Sequence, residues 1–73
     1  NASVSPQKDK VAFTALNKLY IMDRVSGDMR RLSDFGDEMT EAMPAWSPDG
    51  KEIELVTWSD KSGGAIFKVS SDG

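Results

Sequence analysis

The sequence contains no cysteine and no histidine. The first absence excludes disulfide staples and thiolate metal sites. The second removes the imidazole base, so none of the chain's serines can belong to a Ser-His-Asp arrangement. Together they leave only carboxylates for a zinc ion, a rare donor set. No apolar run approaches the ~20 residues of a membrane-spanning helix, and no signal peptide precedes the first strand-like segment. The net charge is −3 with both signs interspersed, so nucleic acid and anionic membrane surfaces are not expected as partners. At 73 residues there is room for one small domain, which buries only about 60% of its unfolded surface. Too little chain is available to wall a cleft for a paired-carboxylate glycosidase. The expectation is a non-enzyme without metal or cofactor.

What is present is repetition. Residues 4–13 (VSPQKDKVAF) are answered by residues 46–55 (WSPDGKEIEL), with Ser5-Pro6 matching Ser47-Pro48, Val11 matching Ile53 and Phe13 matching Leu55, a spacing of 42. LYIMD at 19–23 is then answered by IFKVS at 66–70, with Tyr20 opposite Phe67 at a spacing of 47, so the second copy carries about five extra residues between. A period of ~40–45 residues holding several short apolar strands is the signature of a β-propeller blade. The fold class expected is therefore all-β, built from antiparallel propeller blades: one four-stranded blade and most of a second, stacked face to face. Residues 1–33 form the first blade, 34–42 an inter-blade loop, and 43–73 the second blade without its last strand.

The strands follow from pattern. Val11, Phe13 and Ala15 alternate with Ala12 and Thr14, and Leu19–Met22 forms a second run, closed by the Gly-centred turn Ser26-Gly27-Asp28. Arg30–Ser33 reads as an edge strand, since flanking charges protect an exposed edge, and Arg30-Arg31 beside aspartates implies weak local ion pairs. Asp34, Asp37, Glu38 and Glu41 lack the oxygen-ligand spacing of a calcium loop and read as a solvated acidic loop. Pro44 cannot donate to a ladder and belongs at a strand's start or edge. Ile53–Trp58 is the strongest strand, Ser59–Gly64 a loop, and Ala65–Val69 the last strand. The alternation predicts Phe13 and Leu55 buried at equivalent positions, with Val11 and Ile53 beside them.

Ser47-Pro48-Asp49-Gly50 is a turn with a mechanism: proline presets φ, and glycine accepts positive φ. The first copy has Gln7 and Lys8 in place of Asp49 and Gly50, so a turn of another type is expected after Ser5-Pro6. Trp46 falls at the repeat's start and is expected to pack between blades. Trp58 aligns with Leu16 and has no aromatic counterpart. It either packs or, with Phe67, forms a candidate interface.

The segment AWSPDGKEIELVTWS resembles the WD-like propeller repeats of TolB-type proteins, which carry a Pro-x-Trp-Ser-Pro-Asp-Gly-Lys core before an apolar strand. The structural-repeat residues this resemblance implies are Ser5, Pro6, Pro44, Trp46, Ser47, Pro48, Asp49 and Gly50. Glu54 departs from the pattern, standing where the first copy has Ala12. VTWSDKSGG with IFKVSSDG is also similar to propellers fused to amidohydrolase domains. Family propellers have about six or seven blades. The resemblance implies a periplasmic or secreted, non-catalytic structural or protein-binding scaffold. Its alternative is the propeller portion of a larger hydrolase, of amidohydrolase or prolyl oligopeptidase type, gating substrate access. Partners are expected to be protein: other blades of the same parent, or further copies of this chain pairing through the RRLS segment or the N-terminal strand.

Overall fold

The computed structural model describes residues 2–61 and 63–72. Two antiparallel sheets pack face to face, and no helix occurs among the described residues. The first sheet comprises β1 (Ala2–Val4), β2 (Lys10–Ala15), β3 (Lys18–Asp23) and β4 (Met29–Arg31), in that spatial order. The second comprises β5 (Thr40–Trp46), β6 (Glu52–Ser59) and β7 (Gly63–Ser70), again in chain order. Neither sheet closes on itself.

The repeat read from the sequence is reproduced in the strand pairing. Val4 faces Val11 and Ser3 faces Ala12, as Trp46 faces Ile53 and Ala45 faces Glu54. Phe13 pairs with Tyr20 as Leu55 pairs with Phe67, and Val11 with Met22 as Ile53 with Val69. The extra residues lengthen one hairpin. The first sheet turns tightly after Ala15↔Lys18, whereas the second adds the pairs Trp58↔Gly64 and Ser59↔Gly63 before its loop. Ser59, Gly63 and Gly64 are thus ladder rather than loop, with Asp60 and Lys61 in the turn; Ser62 lies outside the described residues.

The β2–β3 turn places Leu16 (φ 50) and Asn17 (φ 65) in left-handed conformation, the geometry that matches the twist of the strands it joins. The sheets meet through Ala12, Leu19, Ile21 and Leu32 on one side and Ile53 and Leu55 on the other, with Phe35, Trp46 and Val69 packed at the margin. Burying a side chain of the Leu or Ile kind contributes ~1.5–3 kcal/mol. β5 packs against β2 of the first sheet. Within its own sheet β5 is irregular: a register shift between Ala42 and Ala45 carries Met43 at φ 55. Pro44 sits in this bulge, on an edge strand, where its missing N–H costs no ladder bond.

Three expectations need correction. Val11 and Phe13 are not core residues; they lie on the outer face of the first sheet, half-buried, while Ala12 points inward. Alternation assigns residues to a common face but does not say which face the neighbouring sheet covers. Glu41 is not a solvated loop residue: β5 begins at Thr40, and Glu41 is 1% exposed. The turn after Ser5-Pro6 is of the same type as the SPDG turn. Ser5 N–H donates to Lys10 O (2.9 Å) and Lys8 N–H to Ser5 O (2.8 Å), as Ser47 N–H donates to Glu52 O (2.8 Å) and Gly50 N–H to Ser47 O (3.0 Å). Lys8 adopts φ 64 where Gly50 adopts φ 76. Lysine accepts the left-handed conformation because the ladder on both sides fixes the chain's path.

Candidate functional site

The repeat serines do the same job in both copies. Ser5 Oγ accepts Lys10 N–H at 3.0 Å and donates to Asp9 Oδ1 at 2.8 Å. Ser47 Oγ accepts Glu52 N–H at 3.0 Å and donates to Asp49 Oδ1 at 2.6 Å. The aspartate changes place: where the first copy has Gln7 instead of Asp49, it has Asp9 instead of Lys51. The Ser5 hydroxyl, then Lys10, holds the Asp9 carboxyl below its ordinary pKa, and the Ser47 hydroxyl, then Lys51 N–H, does the same for Asp49. Asp23 is lowered likewise by the N–H groups of Ser26 and Val25 in the β3–β4 turn. Pro6 and Pro48 are exposed within their turns. The turns lie side by side, the Gln7 amide filling the space where a β-carbon on Gly50 would stand 2.7 Å from Gln7 Oε1.

Between the turns lies an open cleft of about 480 Å³, lined by side chains such as Gln7, Asp9, Asp49, Lys51 and Asp72. Charges of both signs line it, and the Asp9 and Asp49 carboxyls are both held below their ordinary pKa. Among the described residues no group of three or more His, Cys, Asp or Glu side chains is placed to hold a metal ion. Trp46 acts as a strut between sheets: its indole N–H donates to Ser3 O of β1 at 2.8 Å.

A second cluster, missed from sequence, clasps the sheets together at the opposite end. Glu41 Oε1 accepts Leu19 N–H and the Ser33 hydroxyl, both at 2.9 Å, and Oε2 accepts Phe35 N–H at 3.5 Å and lies 3.6 Å from Arg31 Nη2. Beside it, Lys18 Nζ donates to Gly36 O (2.7 Å) and Met39 O (2.9 Å), while Glu41 N–H donates to Asn17 O (2.9 Å). The tip of the β2–β3 hairpin is thereby stitched to the segment that leads into β5. Across the ladder from Glu41, Thr57 is buried, and its hydroxyl finds no hydrogen-bond partner among the described residues.

The two outer faces differ in chemistry. On the first sheet, Val4, Val11, Met22 and Met29 form one row across all four strands, and Ala2, Phe13, Tyr20 and Arg31 the next. Phe13 and Tyr20 stack with ring centroids 5.8 Å apart. On the second sheet the central row is Ala45, Glu54 and Lys68, and the next is Ala42, Val56 and Ile66. Trp58, 47% exposed, stands on the same face beyond the point where the first sheet turns back. Phe67 lies on the inner face of β7, its ring 4.9 Å from that of Phe35. Trp58 and Phe67, the candidate interface pair, are thus on opposite faces.

Compared with known proteins, the chain matches no family and no curated relative.

Proposed function

We propose that this chain is a non-catalytic propeller-repeat segment of the TolB-like kind, acting as a structural and protein-binding scaffold. The observation that carries the reading is the asymmetry between the outer faces, judged against the repeat. Val11 and Phe13 are the repeat equivalents of Ile53 and Leu55, whose face is covered by the first sheet. Ala12 and Ile21, on a covered face, are the equivalents of Glu54 and Lys68, on an open one. At two central positions of the second sheet's open face, Glu54 and Lys68, the repeat has exchanged apolar residues for charged ones, while Val56, Trp58 and Ile66 remain apolar on that face. On the first sheet's open face no such exchange has occurred, and Val11, Phe13, Tyr20, Met22 and Met29 remain. Contiguous apolar surface of that kind marks a protein interaction site. The partner that suits it is another apolar sheet, from a further blade of the same parent or from another copy.

Sedimentation at micromolar concentration tests the reading with the wild-type chain and Phe13→Asp. The wild type should associate. Phe13→Asp, which places a carboxylate outside the core, should give a folded 8.0 kDa monomer. A wild-type chain that is a single folded monomer with a sharp unfolding transition overturns the proposal. So does a Phe13→Asp variant that associates like the wild type.

A further inference from the structure

We propose that the Met43-Pro44 bulge guards the free edge of β5, keeping a strand from a second copy of this chain from adding to the second sheet there.

β5 lies in the middle of the chain, and among the described residues it pairs with β6 alone. At seven residues it is long enough to template another strand. Its situation differs from that of β4, an edge of the first sheet, which is three residues long and carries Arg30 and Arg31. The β5 segment TEAMPAW has no lysine or arginine, and its one carboxylate, Glu41, is buried. Solvated charge therefore cannot keep a strand off this edge.

The backbone does so instead. Ser47 N–H donates to Glu52 O, which makes Ala45↔Glu54 the next hydrogen-bonded pair of the ladder and turns Trp46 N–H outward. At the other end of the strand Glu41 N–H also faces outward, and Asn17 O of the β2–β3 turn already accepts it at 2.9 Å. Between them Met43 and Pro44 together oppose Leu55. An arriving strand would meet one donor already engaged, then a residue with no N–H, with the regular spacing broken between the two ends. Met43 holds φ 55, a left-handed conformation that is unfavourable for any residue with a β-carbon. Its side chain is 63% exposed and lies outside the core, so its own packing does not explain the strain. A bulge and a proline are two of the means by which sheet edges are closed to further pairing, and β5 combines them at one point.

The test starts from the whole chain carrying Phe13→Asp, so that the apolar outer face does not contribute. It is compared with the same chain after deletion of Met43 together with Pro44→Val, which restores both a regular ladder and the missing donor. Sedimentation should read 8.0 kDa before this change and a dimer of twice that mass after it. In hydrogen exchange by NMR, the Trp46 amide of the straightened chain should slow as concentration rises. Met43→Gly, which relieves the strain but keeps bulge and proline, should sediment as the parent does. The proposal is overturned if the folded, straightened chain stays a monomer, which would leave the bulge as a means of seating Pro44 against the core. It is overturned too if association leaves Trp46 N–H exchanging at the monomer's rate. If the straightened chain does not fold, Pro44→Val alone decides: its new amide and that of Trp46 should gain protection with concentration, and no gain overturns the proposal. Because exchange at Trp46 reports the β5 edge alone, association of the Phe13→Asp parent would count against the outer-face proposal and not against this one.

Discussion

Glu41 is the residue whose replacement tests the account of this fold most sharply. Its carboxylate is the only acceptor described for Leu19 N–H, and Leu19 is itself fully buried. Glu41→Ala leaves that donor in the interior without a partner, a cost of ~1–3 kcal/mol. The lost methylenes add ~0.8 kcal/mol each. Against this, the variant no longer desolvates a charge, and Arg31 is exposed enough to recover water. The net expected loss is about 3 kcal/mol, at the lower end of what breaking a buried ion pair costs. For a domain of this size each kcal/mol shifts Tm by roughly 4–8 °C, so Glu41→Ala should melt about 12–24 °C lower. Glu41→Gln keeps Oε1 for Leu19 and Ser33 but turns an amide donor toward Phe35 N–H and Arg31, and should lose ~1 kcal/mol. Glu38→Ala, at an exposed site, should stay within about 0.5 kcal/mol. Urea denaturation of the four proteins provides the measurement. A Glu41→Ala midpoint indistinguishable from that of Glu38→Ala would refute the clasp.

The sequence alone displays the periodicity but not the side of each sheet that is inside. The offsets of 42 and 47 reappear as strand register, because register is set by local features: the Ser-centred turns and the hairpin lengths. Burial is a relation between sheets, and nothing in KVAFTA says that a second sheet crosses over Ala12 rather than over Phe13. Larger side chains suggested the opposite. The left-handed Lys8 was hidden for a related reason. Residue preference marks Gly50 as the turn's positive-φ position, but the same position in the first copy is imposed by the ladders on either side, against the preference of lysine. Glu41 was illegible because it sits in an acidic stretch whose other members are solvated. Only the approach of Leu19, Ser33 and Phe35 distinguishes it from Asp37 and Glu38. The chemical contrast between Ala12 and Glu54 was visible from the start, yet its meaning required knowing that one face is covered and the other open.

Two further predictions concern the turns. Asp9, Asp23 and Asp49 titrate below their ordinary values, so each contributes stability that is present above the unfolded carboxyl pKa near 4 and disappears as pH falls through the folded value. The urea midpoint should therefore be flat between about pH 7 and 5 and fall below about pH 4, more shallowly in Asp23→Asn/Asp49→Asn than in the wild type; parallel curves would remove these carboxylates from the account. At the positive-φ pair, Gly50→Ala should destabilise by ~1 kcal/mol or more, since the added β-carbon is strained at φ 76 and displaces Gln7. Lys8→Gly relieves a left-handed penalty of ~1–2 kcal/mol but gives the unfolded chain ~0.5–1 kcal/mol of extra entropy. Relief of strain matches or exceeds that entropy, so the variant should be neutral to mildly stabilised. Opposite signs at two sites 42 residues apart are what one shared turn geometry requires. A Lys8→Gly variant that loses as much stability as Gly50→Ala would mean that the lysine side chain, not its backbone, holds the first turn together.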